Sequence, residues 1–154
     1  MPPMPDPATI DVQIVEHPVA MVAVEPFPPQ AGAECVFLGR TRSEVHPRHG
    51  PLARLSYHAY VPLANRTHGE LAEHAARQFG CRMVRIHHAV GEVPLGAASV
   101  LVQVICDHRA KAFEACRFLI DRLKETAPIW KQELWADGTS WSEGTPVLLE
   151  GGDS

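Results

Sequence analysis

The sequence predicts an α+β domain built on a mainly antiparallel sheet with two main helices. Short runs of alternating polarity recur along the chain, two longer stretches place apolar residues three and four apart, and prolines, glycines or an Asp-Gly pair punctuate them. The resulting order is strands, helix, strands, helix, hairpin.

Taken in order, residues 10–15 alternate, with Ile10, Val12 and Ile14 on one face of a strand. Pro26, Pro28 and Pro29 break the chain before a second strand over 33–41 that contains Val36, Phe37 and Leu38. Residues 43–51 hold two prolines, a glycine, two histidines and Arg48, and are expected to form a mobile polar loop. A strand returns over 52–60. Pro62 suits the first turn of a helix running to about Phe79, with Gly80 as its C-terminal cap and Leu63, Leu71, Ala75 and Phe79 as its apolar stripe. Strands over 82–90 and 97–106 flank a turn at 91–96. Asp107 or the next residue opens a second helix through Lys124, whose expected buried face is Ala112, Phe113, Cys116, Leu119, Ile120 and Leu123. Pro128 stops it by removing a donor and disfavouring helical geometry at Ala127. Residues 129–135 alternate again, and Asp137-Gly138 signals a hairpin towards Trp141.

The 154 residues fit one domain, in which 1–31 supply an N-terminal strand and proline-rich lead-in, 32–143 the core, and 144–154 a loosely held tail. A formal net charge of −4 argues against a protein that coats nucleic acid. Neither a secretory signal nor an apolar run of membrane-spanning length is visible, so a soluble, cytoplasmic protein is expected. Cys35, Cys81, Cys106 and Cys116 form no C-x-x-C pair and read as buried reduced thiols. No H-E-x-x-H motif is present; His68 and His74 fall on different sides of their helix, and no metal site is expected.

Ionisable groups gather at the ends of the packed elements. Asp107-His108-Arg109 lies where a strand passes into a helix, so free backbone N–H groups and the helix dipole favour an anion there, with Arg109 and His108 as further donors. Lys124 closes the same helix, and Lys131 lies beyond Pro128 on a strand. Two ammoniums brought together in a partly desolvated site lower each other's proton affinity, and a neutral lysine serves as base or nucleophile. Arg42 follows the second strand and faces a basic loop.

The run His108-Arg109-x-x-Ala112-Phe113-Glu114-Ala115-Cys116, then Leu123-Lys124, then Pro128-Ile129-Trp130-Lys131-x-Glu133, resembles the molybdopterin synthase catalytic (large) subunit family. So do Gly32-Ala33…Phe37-x-Gly39-x-x-Arg42, Leu55-x-Tyr57-x-Ala59-Tyr60, Gly91-Glu92 and Trp141, in the family's order and spacing. The resemblance implies an α/β hammerhead-type fold and a homodimer. Each protomer would bind a small ubiquitin-like sulfur-carrier subunit, making a heterotetramer, and 32–143 would be the catalytic domain. It further implies a sulfurtransferase of molybdenum cofactor biosynthesis that needs no cofactor. Two dithiolene sulfurs would pass from the carrier's C-terminal Gly-Gly thiocarboxylate to cyclic pyranopterin monophosphate. Carried over by position, Lys124 and Lys131 match catalytic lysines, Arg42, His108 and Arg109 match substrate-binding residues, and Phe37 matches a wall of the partner-tail pocket. Three departures stand out: His58 where the family usually has glutamate, Gln132 in place of an often basic residue, and a proline-rich stretch before Gly32. Gly151-Gly152 is followed by Asp153 and Ser154 and is expected to belong to the tail.

Overall fold

The computed structural model describes residues 6–142. The expected tail at 144–154, with its Gly151-Gly152 pair, lies outside the described residues. Nine strands and two helices follow one another as β1 (Thr9–Val15), β2 (Ala33–Arg40), β3 (Val45–His46), β4 (Gly50–Ala59), α1 (Val61–Phe79), β5 (Met83–Ala89), β6 (Gly91–Pro94), β7 (Ala98–Cys106), α2 (Arg109–Thr126), β8 (Ile129–Trp135) and β9 (Gly138–Trp141).

One sheet has the order β1-β5-β7-β2; β1 runs parallel to β5 and the other neighbours are antiparallel. Residues 9–15 thus share a sheet with β5, β7 and β2. The second sheet runs β3-β4-β8-β9, with β6 also on β4, and is antiparallel throughout. The α+β class and its antiparallel bias follow the expectation from the sequence.

The main core lies between the first sheet and the two helices. Val84 and Ile86 of β5 and Val100, Val102 and Val104 of β7 meet Ala72, Ala75, Ala112, Ala115, Leu119 and Leu123. β7 is buried along its whole length, as expected for a central strand covered on both faces. Alanines dominate the inner face of α1, which lets it lie close to the sheet, whereas α2 adds Cys116, Leu119 and Leu123 to Ala112 and Ala115. Gly80 closes α1 at φ 67°, a left-handed conformation in which its N–H reaches the Ala76 carbonyl.

The opposite face of the sheet carries polar groups. Asp11 accepts hydrogen bonds from Arg85 Nε at 2.6 Å and His87 Nε2 at 3.0 Å, and fully buried Gln103 donates to Glu34 and to the Val22 carbonyl. The chain before β2 covers this face, Val19 bridging to Ala98.

Several expectations need correction. Phe113 is 65% exposed instead of buried, because the inner face of α2 is set by Ala112, Ala115, Cys116, Leu119 and Leu123, and Phe113 sits about 100° round from Ala112. Its ring lines an outer groove with Phe79 and Phe118. On α1 the floor is Ala64, His68, Ala72, Ala75 and Ala76, while Leu63 and Leu71 are only half-buried. The expected loop at 43–51 contains β3: Val45 pairs with Pro51, and the His46 Nδ1 accepts from the Arg48 and His49 amides to hold the turn. The expected turn at 91–96 begins as β6, because Val93 opposite Leu55 adds a buried side chain to the second sheet. α2 extends past Lys124 to Thr126. Cys81, Cys106 and Cys116 are buried and Cys35 is half-buried, all as free thiols; burial pushes Cys116 up to about 12, which suits a core residue and not a nucleophile. Among the described residues no helix is long and apolar enough to cross a membrane.

Candidate functional site

Strand polarity and helix direction sort the ionisable residues to the two ends of the first sheet. At one end, β7 finishes at Cys106 and α2 begins. Asp107 is held by Arg82, which donates from Nε to Oδ1 at 2.5 Å and from an outer nitrogen to Oδ2 at 3.0 Å. That pairing keeps the Asp107 carboxyl below its usual range and takes it away from helix capping. His108 is instead the N-cap residue, in extended geometry and without a side-chain cap bond. His108 and Arg109 are therefore exposed beside uncapped N–H groups, and the first turn holds no acidic residue.

At the other end, α2 finishes and the chain turns through buried Pro128 into β8. Lys124 lies in the last turn and Lys131 is the third residue of β8, directly opposite Tyr57 of β4. The Lys124 residue as a whole is exposed, yet partial burial of its amine lowers its proton affinity, and the Lys131 charge lowers it further. Among the described residues no ion pair forms to either lysine. The break at Pro128 is what makes this possible: it reverses the chain and returns Lys131 towards the helix end it has just left.

The floor of this end is a row across three strands. Gly39 of β2 pairs with Val100 of β7, and Val100 pairs with His88 of β5. Phe37 lies two residues back on β2, half-buried against the main core. A Cβ on Gly39 would meet Val100 Cγ1 at 2.8 Å and Phe37 Cε2 at 3.4 Å, so this position admits only glycine without a shift of its neighbours. Arg42 follows β2 at the same end; its side chain is 86% exposed and only 4.0 Å from Glu44, leaving it free to turn towards an anion.

Behind the lysines stand groups that spacing along the chain did not single out. The His88 ring is buried, meets Tyr57 edge-on at 5.3 Å between centroids, and lies 6.5 Å from the ring of His68. Burial pushes His88 down to about 4, against a favourable bond to the Ala89 carbonyl and with the Lys124 charge adding to the depression. His68 is 1% exposed, with neither ring nitrogen bonded among the described residues, and burial then His88 push it down to about 4. Burial also raises the Tyr57 hydroxyl. The one legible signal was the pair His87-His88 ending an apolar strand, with period two turning His88 inward. Its neighbours come from distant segments and left no such trace.

The structure thus gathers Lys124, Lys131, Phe37 and Arg42 at one end and places His108 and Arg109 at the other. Arg109 and Lys124 are separated by about 22 Å along α2. His58, on the other face of β4 from Tyr57, has its ring tilted against that of Trp141 at 5.4 Å between centroids. Among the described residues no cluster of three or more histidine, cysteine or acidic side chains is placed to hold a metal.

The family model described as MoaE protein matches residues 8–126, which includes Lys124 and stops short of Lys131. A molybdopterin synthase catalytic subunit from Arabidopsis thaliana is 39% identical over 120 residues, covering 78% of this chain; the chain spans about 60% of that relative's length. The molybdopterin synthase catalytic subunit of Staphylococcus carnosus is 33% identical over 134 residues, covering 84% of this chain and 86% of its own. A crystal structure of molybdopterin synthase from Staphylococcus aureus aligns with a TM-score of 0.74 at 29% identity, covering 84% of this chain and 94% of that one. This chain belongs to the MoaE protein family.

Proposed function

We propose that the protein is the catalytic subunit of a molybdopterin synthase, a sulfurtransferase that inserts two dithiolene sulfurs into cyclic pyranopterin monophosphate. The observation that carries this reading is the pair Lys124 and Lys131, brought together across the Pro128 break, with Lys124 held less basic than an ordinary lysine. A carrier thiocarboxylate and a cyclic phosphate are both anions, so fixed cations without carboxylate partners suit both. When sulfur attacks, an oxygen must leave with a proton. An ammonium of lowered proton affinity gives that proton up more readily, which makes Lys124 the general acid. Lys131 tunes Lys124 by like charge and holds the incoming thiocarboxylate.

The partner is a small ubiquitin-like sulfur carrier whose Gly-Gly end enters beside Phe37 and Gly39. A tail threading this close to backbone has no room for Cβ atoms. The substrate phosphate is held by Arg42, His108 and Arg109. Since Arg109 and Lys124 lie about 22 Å apart on one helix, a single protomer cannot offer both to one pterin. A symmetric homodimer resolves this if the α2 N-terminus of one copy meets the lysine end of the other, and two carriers then complete a heterotetramer. Residues 32–143 form the catalytic domain, with 1–31 as its lead-in and 144–154 as a tail, in the cytoplasm.

The test combines this chain, a thiocarboxylated carrier and the cyclic pterin, and follows the dithiolene product by mass spectrometry. Product that depends on all three components is the expected result. Binding of the carrier with no product would reduce the protein to an interaction module.

A further inference from the structure

β2 is an end strand of its sheet, and no described residue pairs with its outer edge. It is eight residues long, holds neither lysine nor proline, and leaves residues 35–39 only half-buried. Folded proteins cover or interrupt a bare apolar edge of this length, because it pairs readily with another chain. The Gly32 N–H points inward to the Asp107 carbonyl, so alternation turns the backbone N–H groups of Cys35, Phe37 and Gly39 outward.

This edge is self-complementary. An antiparallel copy related by a two-fold axis at Phe37 sets Glu34 opposite Arg40 and Val36 opposite Leu38, with opposite charges at the two exposed ends. α2 repeats the pattern. Arg109, Phe113, Ile120 and Lys124 fall within about 60° of one another around the helix. A two-fold axis between Cys116 and Arg117 sets Arg109 opposite Lys124 and Phe113 opposite Ile120. The two axes fall at one level of the fold: the Cys116 thiol lies 4.0 Å from the Val102 carbonyl oxygen, and Val102 is the β7 partner of Phe37. The spacing also fits. α2 sits astride β7 and β2, so strands ~4.8 Å apart would hold the two α2 axes about 10 Å apart, close to the roughly 8–10 Å of packed helices.

We propose that the β2 edge and the Arg109–Lys124 stripe of α2 are the docking surface for a second copy of this chain, joining two sheets into one and bringing Arg109 of each copy to the lysine end of the other. This inference rests on the reading of Arg109 and Lys124 as parts of one site and adds the surface that assembles it. Phe113, 65% exposed on one protomer, gains an apolar neighbour in Ile120 of the second copy. A seam along β1, the other end strand, would keep the two α2 helices apart and leave each site incomplete.

A charge swap on β2 tests the register. The readout is the dimer dissociation constant of the full chain, from sedimentation over a dilution series without carrier or pterin. Within one protomer Glu34 and Arg40 stand about 20 Å apart along the strand, too far to interact, whereas across the seam each faces the other. Glu34→Arg and Arg40→Glu should each weaken the dimer about tenfold, since like charges then stand opposite at both ends of the seam. The double variant should regain the affinity of the unaltered chain, because opposite charges face each other again. Phe113→Arg is an independent check: its position is exposed on one protomer, so the core is untouched, yet the dimer should weaken at least tenfold. Circular dichroism verifies folding of every variant. An unaltered chain that stays monomeric, a dimer indifferent to Phe113→Arg, or single swaps that the double variant does not repair would overturn the proposal. If the swap behaves as described but mixed Arg109→Ala and Lys124→Ala dimers regain no turnover, the shared-site reading fails and the docking surface stands.

Discussion

Arg109 opens helix α2 and Lys124 lies in its last turn, so two cations expected to serve one anionic substrate sit at opposite ends of a single rigid rod. Their separation, about 22 Å, follows from the rise of the helix and cannot be closed by side-chain motion. It sets the first expectation. If sites form between copies, Arg109→Ala and Lys124→Ala homodimers should both turn over slowly when assayed at substrate well below the raised KM of the Arg109 variant. Mixing them and allowing exchange should restore about a quarter of the original rate, since half the dimers are mixed and each has one intact site. Steady-state assay of the mixture checks this. No recovery, with exchange proven by mass spectrometry, would place each site within one protomer.

A second expectation separates binding from chemistry. The substrate phosphate is present in ground and transition states alike, so Arg42→Ala, His108→Ala or Arg109→Ala should mainly raise KM, by ~10–100-fold for a lost charge-assisted hydrogen bond. Lys124→Ala should chiefly lower kcat, because it acts on charge that develops during reaction. Lys131→Ala should also lower kcat. Removing its like charge should raise the proton affinity of Lys124. Calorimetry of carrier binding supplies the control: normal kcat with lost carrier affinity in Lys124→Ala would make it a docking residue.

The third concerns the tail channel. Replacing the carrier's last glycine with a bulky residue should abolish turnover, and so should Gly39→Val, whose side chain would press on Val100 and Phe37. Single-turnover assays, with circular dichroism to verify folding of the variant, test both. Unchanged rates would show that the tail enters elsewhere.

The fourth concerns acid stability. His68 and His88 are both neutral when folded, down at about 4, whereas an unfolded histidine binds its proton near 6.5. Below that value the unfolded chain takes up protons that the folded one refuses. Stability is therefore full above about 6.5 and is lost as pH falls towards 4, by up to about 1.4 kcal/mol per pH unit for each histidine. His68→Leu should flatten this slope in urea titrations between pH 4 and 7. An unchanged slope would mean that His68 stays neutral for no energetic reason of its own.

Core truncation should behave as the packing requires. Leu119 is fully buried between α2 and the sheet, and Leu119→Ala should cost ~2–5 kcal/mol in denaturant unfolding, with little change in the lysine end.

Local chemistry made much of this readable from the chain. Alternation located β1, β4 and β8 to within a few residues, Gly80 and Pro128 marked where helices end, and the P-I-W-K and H-R segments pointed to one family. These signals are short-range, set by backbone sterics and by the period of each element. Where the inward face depended on a neighbour, the reading slipped. Three-and-four spacing puts Phe113 inside because it leaves the centre of an apolar stripe uncertain by one position, and only the sheet beneath α2 decides it. β6 looks like a turn in the sequence because its strand character comes from pairing with β4, some forty residues away. Composition and local spacing are enough to set the kind of domain and which residues bear charge. Only packing brings Lys124 towards Lys131 and leaves Arg109 at the far end, because a stiff helix separates its ends and a sheet joins residues by register and not by distance along the chain.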